Sequence, residues 1–145
     1  MIIKIRKPND FHHHLRENEL LKLTTKECFD KFNYVIVMPN LKTPITSIKQ
    51  ALEYRNQIIK LDDRGYPLMT LYLHENIPLE DLTNFKNYPE MIGIKYYPKS
   101  ATTNSENGIN NVENIFFILE IMEKQQIPLL VHGENVTPNV DIFHR

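Results

Sequence analysis

Residues 10–16 read DFHHHLR. Residues two apart on a strand point to one face. His12 and His14 can therefore present two imidazoles to one metal ion, while His13 points the other way. Histidine is the commonest metal ligand but also an ordinary polar residue. Taken alone, the pair fits a solvated strand end as well. Lys95 stands in MIGIKYYP among apolar neighbours, where an ammonium is costly to bury. Either it snorkels to water from a strand end, or it is a neutral amine of lowered pKa, open to covalent chemistry. His132, in LLVHGE, is a buried structural histidine or a ligand, and Glu134 is an acceptor behind it or a loop acid. Arg16 offers a planar fork of donors and Asn40 a further donor, both suited to a carboxylate. A surface ion pair and a turn residue are the plainer readings of the two. KSATTNSENG, residues 99–108, is a solvated connection or a mobile lid carrying the hydroxyls of Thr102 and Thr103.

These residues gain force from the elements that must position them. Short apolar runs alternate with helix-period segments. FHHHLR reads as a first strand, YVIVMPN (34–40) as a second stopped by Pro39, PLMTLYL as a third, MIGIKYYP as a fourth and PLLVHGE (128–134) as a fifth. Between them lie ELLKLTTKECFDKF, weakly helical, and TSIKQALEYRNQIIKL, with Ile48, Ala51, Leu52, Ile58 and Ile59 on one stripe. Thr46 or Ser47 can cap the latter. PLEDLTNFK reads as a short helix with proline in its first turn. NNVENIFFILEIMEKQQ follows, with Val112, Ile115, Phe116, Leu119 and Met122 on one face. Strands this apolar, separated by helices, imply a parallel sheet covered on both sides. A Rossmann-type sheet lacks its Gly-rich loop here. Five strands are a little over half of a (β/α)₈ barrel, which usually needs ~250 residues. In either fold the polar residues collect where strands end, which is where parallel α/β proteins build sites.

Composition narrows the function. The chain has 145 residues, 41% of them apolar, and a net charge of −1, so no basic footprint argues for nucleic acid. No apolar run approaches the ~18–20 residues of a membrane span, and the first ten residues lack a signal-peptide core. Cys28 is the only cysteine, so no disulfide framework exists. A cytoplasmic protein without nucleic-acid or membrane partners is the simplest expectation.

The combination resembles a known family. DFHHHLR fits the D-x-H-x-H-L-R opening of the amidohydrolase superfamily, and VIVMPNL, IGIKYYPKSATTNS and PLLVHGE follow in that order. Together they resemble the dihydroorotases of the short bacterial class, and KYYP followed by ATTNS is the most specific block. The resemblance implies a partial (β/α)₈ barrel of about five strands and four helices, residues 1–145 forming the amino-terminal part of one barrel domain that stops after the fifth strand. It implies two zinc ions bridged by a carboxylated Lys95, with His12 and His14 on the first and His132 on the second. His14, Arg16, Asn40, Thr102, Thr103 and His132 would contact the substrate, and a homodimer is the expected assembly. The reaction implied is the reversible cyclisation of N-carbamoyl-L-aspartate to (S)-dihydroorotate in pyrimidine synthesis. The family's catalytic aspartate would lie beyond Arg145, so this chain would hold no catalytic residue. A hydantoinase or allantoinase is the rival enzyme. A non-catalytic, truncated chain acting as a partner, or a gene fragment, is the rival of another class.

Overall fold

The computed structural model describes residues 2–137 and 139–144; the limits Met1 and Arg145 of the expected domain lie outside the described residues. Five strands alternate with four α-helices: β1 Asp10–His13, α1 Asn18–Lys31, β2 Tyr34–Val37, α2 Ile48–Leu61, β3 Tyr66–Tyr72, α3 Leu79–Asn84, β4 Met91–Tyr96, α4 Phe116–Gln125 and β5 Leu129–Val131. All four strand pairs are parallel, and the order in the sheet is β1-β2-β3-β4-β5. This order decides between the two folds. A doubly wound sheet reverses direction at a switch point, whereas consecutive pairing throughout is how a (β/α)₈ wall is built. The sheet is the wall of a partial barrel.

Alternation along the strands sorts their residues. Val37 is in register with Met69, and Leu71 with Ile94. These residues and Val35 are buried in one apolar cluster with Leu21 and Phe29 of α1, Ile48, Ala51, Tyr54 and Ile58 of α2, and Leu82 of α3. The core therefore lies between the sheet and its helices. Tyr72 is in register with Lys95, and Lys95 with Leu130, so these side chains occupy the opposite, inner face.

Local chemistry explains where elements begin and end. Ser47, not Thr46, caps α2: its hydroxyl accepts from Gln50 N while the Gln50 side chain accepts from Ser47 N, a reciprocal capping box. Pro78 sits at the N-cap of α3, one position ahead of the first turn. The strands are shorter than the apolar runs suggest. β2 stops at Val37, ahead of Pro39, and β5 spans only Leu129–Val131, although His132 N still donates to Tyr96 O at 3.0 Å.

Two helix faces differ from expectation. On α2, Leu52 and Ile59 are only partly buried, and the core position between Ala51 and Ile58 is Tyr54, whose hydroxyl donates to Arg16 O at 2.5 Å. Around α4 the buried residues are Ile115, Ile118 and Met122, while Val112 and Phe116 are exposed. The first turn there, Val112–Ile115, is a 3-10 helix. Its three residues per turn shift the phase of everything that follows.

Phe117 of α4 and Leu129 and Val131 of β5 are also exposed. The outer edges of β1 and β5 carry no paired strand among the described residues. No described helix is long and apolar enough to cross a membrane.

Gly65, in the turn before β3, is required by packing. A Cβ there would lie 2.4 Å from Cδ1 of Phe29, a fully buried ring. Gly65→Ala should destabilise the chain by about 1–3 kcal/mol, measured by urea unfolding. Adding Phe29→Leu should recover part of that loss; full independence of the two substitutions would refute the packing account.

Candidate functional site

His13 is in register with Val37 and so belongs to the helix side of the sheet. There its Nδ1 pairs with Asp10 Oδ2 at 2.8 Å, and its ring packs 6.2 Å from that of Phe32. His12 and His14 share the other face, with their Nε2 atoms 3.2 Å apart. Two ring nitrogens at that distance share one proton or turn two lone pairs toward a common space. Burial first, then the charges of Lys95 and His132, hold the His12 pKa below its ordinary value against the pull of Asp10. The His14 pKa falls to about 4, chiefly through burial and then through the charges of Arg16 and His12. Three strands thus bring His12, His14, Lys95 and His132 within electrostatic reach of one another.

Lys95 is 2% exposed, and burial lowers its pKa. Its Nζ stands 5.3 Å from the centroid of the Tyr97 ring. No ion pair to it is found among the described residues. Snorkelling to water is thereby ruled out, since the side chain stays inside. His132 Nε2 pairs with Glu134 Oε2 at 2.8 Å, so Glu134 is an acceptor for the histidine rather than a loose loop acid. Among the described residues no three or more His, Cys, Asp or Glu side chains gather as a metal-binding group. The gathered set mixes imidazoles with an amine.

The carboxyl end of β2 and the loop after β4 are fastened together. Asn40, 2% exposed, donates through Nδ2 to Thr103 O at 2.9 Å, and its own carbonyl accepts from Asn104 Nδ2 at 3.0 Å. The loop is stiffened from within. Buried Ser105 donates to Thr102 O at 2.6 Å and accepts from Thr102 N at 2.8 Å. Ser100 and Asn104 have φ of 59° and 56°, in the left-handed region that asparagine tolerates best after glycine. Thr103 itself is exposed and Thr102 half-buried, so the loop meets Asn40 through main-chain oxygen, not through the threonine hydroxyls. Arg16, with φ of 65°, follows the buried Leu15 and lies close enough to act electrostatically on His14 and on Tyr97.

The inner face also holds residues that spacing alone does not single out. Tyr72 and Tyr97 are fully buried and stacked, with centroids 5.0 Å apart, and the Tyr97 ring lies 6.0 Å from that of His132. Burial raises both phenol pKa values, that of Tyr72 to about 12. Five buried side-chain polar atoms lack a well-formed hydrogen bond among the described residues: His14 Nδ1, Asn40 Oδ1, Tyr72 Oη, Tyr97 Oη and Thr25 Oγ1; the side chains of His14 and Asn40 still interact with each other, whereas the two phenols have no such neighbour. All but Thr25, which is in α1, belong to this site. Native proteins seldom leave such groups unpaired, so their concentration in one place marks where a ligand belongs. Doubled tyrosine in KYYP is the only sequence signal that points to Tyr97.

Asn104 combines the latch with the left-handed turn. Asn104→Gly keeps the backbone and removes the latch; Asn104→Ala removes both. Limited proteolysis within residues 99–108 should rise several-fold in Asn104→Gly, and Asn104→Ala should lose about a further 1 kcal/mol of stability. Equal protease resistance in wild type and Asn104→Gly would show that the latch does not hold the loop.

No family model matches the chain. Its sequence is similar to that of the dihydroorotase of Salmonella typhimurium, 42% identical over 147 residues, covering 99% of this chain and 42% of that protein. The dihydroorotase of Nitrosococcus oceani is 38% identical over 146 residues, with the same coverage of 99% and 42%. Among solved structures, a Saccharomyces cerevisiae dihydroorotase in complex with 5-fluoroorotic acid superposes with a TM-score of 0.82 at 30% identity, over 92% of this chain and 37% of that one. The dihydroorotase from Campylobacter jejuni gives 0.76 at 35% identity, over 90% and 39%. The chain spans less than half the length of these relatives. Over 99% of its length this chain is similar in sequence to 42% of the Salmonella typhimurium dihydroorotase, and its consecutive parallel strands superpose on part of the solved dihydroorotase structures.

Proposed function

We propose that residues 1–145 are the amino-terminal part of a dihydroorotase barrel and carry half of its active site. The observation that bears most weight is the meeting of His12, His14, Lys95 and His132 on the inner face, beside the unpaired hydroxyls of Tyr72 and Tyr97. In this reading the reaction is the reversible closure of N-carbamoyl-L-aspartate to (S)-dihydroorotate, a step of pyrimidine synthesis in the cytoplasm, by a homodimeric enzyme.

The donor set suits zinc. The two Nε2 atoms of His12 and His14 already face one another at 3.2 Å, and both rings are biased toward the neutral form a ligand requires. His12 and His14 would hold one zinc and His132 a second, with Lys95, as a carbamate, as the anionic ligand. When bound, the metals supply Lewis-acid polarisation of the amide carbonyl and a nucleophile at neutral pH. The chain's own residues do the remaining work on this half. Burial lowers the Lys95 pKa and so favours the neutral amine. The neutral nitrogen can then bond to the carbon of CO₂, releasing one proton and leaving an anionic, two-oxygen group. Glu134 holds the His132 ring from behind. Arg16 and Asn40 bind the substrate carboxylate, and Thr102 and Thr103 cover it from the loop. The general acid/base is not among these residues, so the 145-residue chain binds metal and substrate but turns over little.

The alternative is a non-catalytic dihydroorotase-like chain that serves as a partner. Two measurements on the purified chain separate the readings. Calorimetry should show zinc binding that weakens by at least roughly tenfold in Lys95→Ala. Carbon-13-labelled bicarbonate should give a carbamate resonance in wild type and none in Lys95→Ala. Zinc affinity indifferent to Lys95, His12 and His132 would sink the metal site. Hydrolysis of hydantoin or allantoin in preference to dihydroorotate would redirect the assignment within the enzymes.

A further inference from the structure

The inner face keeps two phenols where phenylalanine would fill the same space. Tyr72 and Tyr97 are 0% and 1% exposed, and neither hydroxyl has a hydrogen-bond partner among the described residues. A buried hydroxyl without a partner costs stability, whereas an apolar ring of the same shape does not. A group retained at that cost calls for an acceptor that arrives with a ligand.

The surroundings indicate which hydroxyl and which acceptor. The Tyr97 ring stacks on Tyr72 at 5.0 Å and 27°, lies 6.0 Å from the His132 ring, and has Lys95 Nζ 5.3 Å from its centroid. The charge of Arg16 acts on its hydroxyl, whereas the charged neighbour of the Tyr72 hydroxyl is Glu106. An anion is therefore drawn toward Tyr97 and repelled from Tyr72. A phenol O–H has one proton to donate, and a carboxylate is its strongest common acceptor.

We propose that the Tyr97 hydroxyl, its ring stacked on Tyr72 and near that of His132, donates a hydrogen bond to the carboxylate of the bound substrate. Tyr72 is the platform that fixes the angle of the Tyr97 ring. The proposal rests on the dihydroorotase reading above, which places the substrate carboxylate at Arg16 and Asn40.

The test is titration of the zinc-loaded 145-residue chain with (S)-dihydroorotate by calorimetry, paired with thermal melting. Tyr97→Phe should weaken binding by roughly ten- to a hundredfold, the range of a hydrogen bond to a charged group. It should melt at the wild-type temperature or above it, because an unpaired buried hydroxyl has been removed. A merely structural hydroxyl would move the melt downward and leave binding alone, and that result overturns the proposal. So does unchanged affinity in Tyr97→Phe, or a loss confined to Tyr72→Phe, and in both cases the dihydroorotase reading survives. If the wild-type chain binds zinc but no dihydroorotate, the reading itself falls and the proposal with it.

Discussion

The period of two along a parallel strand is the constraint on which this molecule depends. Each strand must bury one face against helices, and that alone commits Val35, Val37, Met69, Leu71 and Ile94 to a shared apolar layer. The intervening positions are then released from the core. They are free to be polar, and here they are His12, His14, Lys95 and His132, with Tyr72 and Tyr97 among them. Slipping β4 by a single residue would exchange its two sets at once, placing Lys95 in the core and Ile94 in the site. Stability and site geometry therefore rest on the same register.

Electrostatics sharpen the consequence. Cations of like charge are gathered on one face without a carboxylate to balance Lys95 among the described ion pairs. Burial acts first to lower the pKa values of His12, His14 and Lys95, and repulsion from neighbouring charges adds to it for the histidines. Each shift favours the uncharged form, the form in which an imidazole binds a metal ion. The bias comes from burial without a counter-ion at Lys95, while Glu134 stands beside His132.

What could be read from the sequence follows the same division. Alternation and strand-end position made the strand set, the shared face of His12 and His14, and the outward turn of His13 legible before any coordinates. Two kinds of feature were not. The expected face of α4 holds at Ile115, Leu119 and Met122 and fails at Val112 and Phe116, because Val112–Ile115 is a 3-10 turn and a pattern counted at 3.6 residues per turn runs out of phase across it. Tyr54, Tyr72 and Tyr97 escaped because a phenol fits a surface as readily as an interior. Only the packing shows that one hydroxyl reaches Arg16 O and that two others reach no partner among the described residues. The loop of residues 99–108 suggested threonine hydroxyls as the contact, yet main-chain carbonyl and asparagine amide make the junction.

That junction can be counted in hydrogen atoms. A carboxamide nitrogen carries two, and Asn40 commits one of them to Thr103 O while its carbonyl oxygen on the main chain holds Asn104. The two bonds are unlike in origin: the first leaves the Asn40 side chain, the second ends on its main chain. An aspartate at this position, equal in size but without an amide hydrogen, would therefore release Thr103 and leave Asn104 bound, loosening the junction by one bond of two.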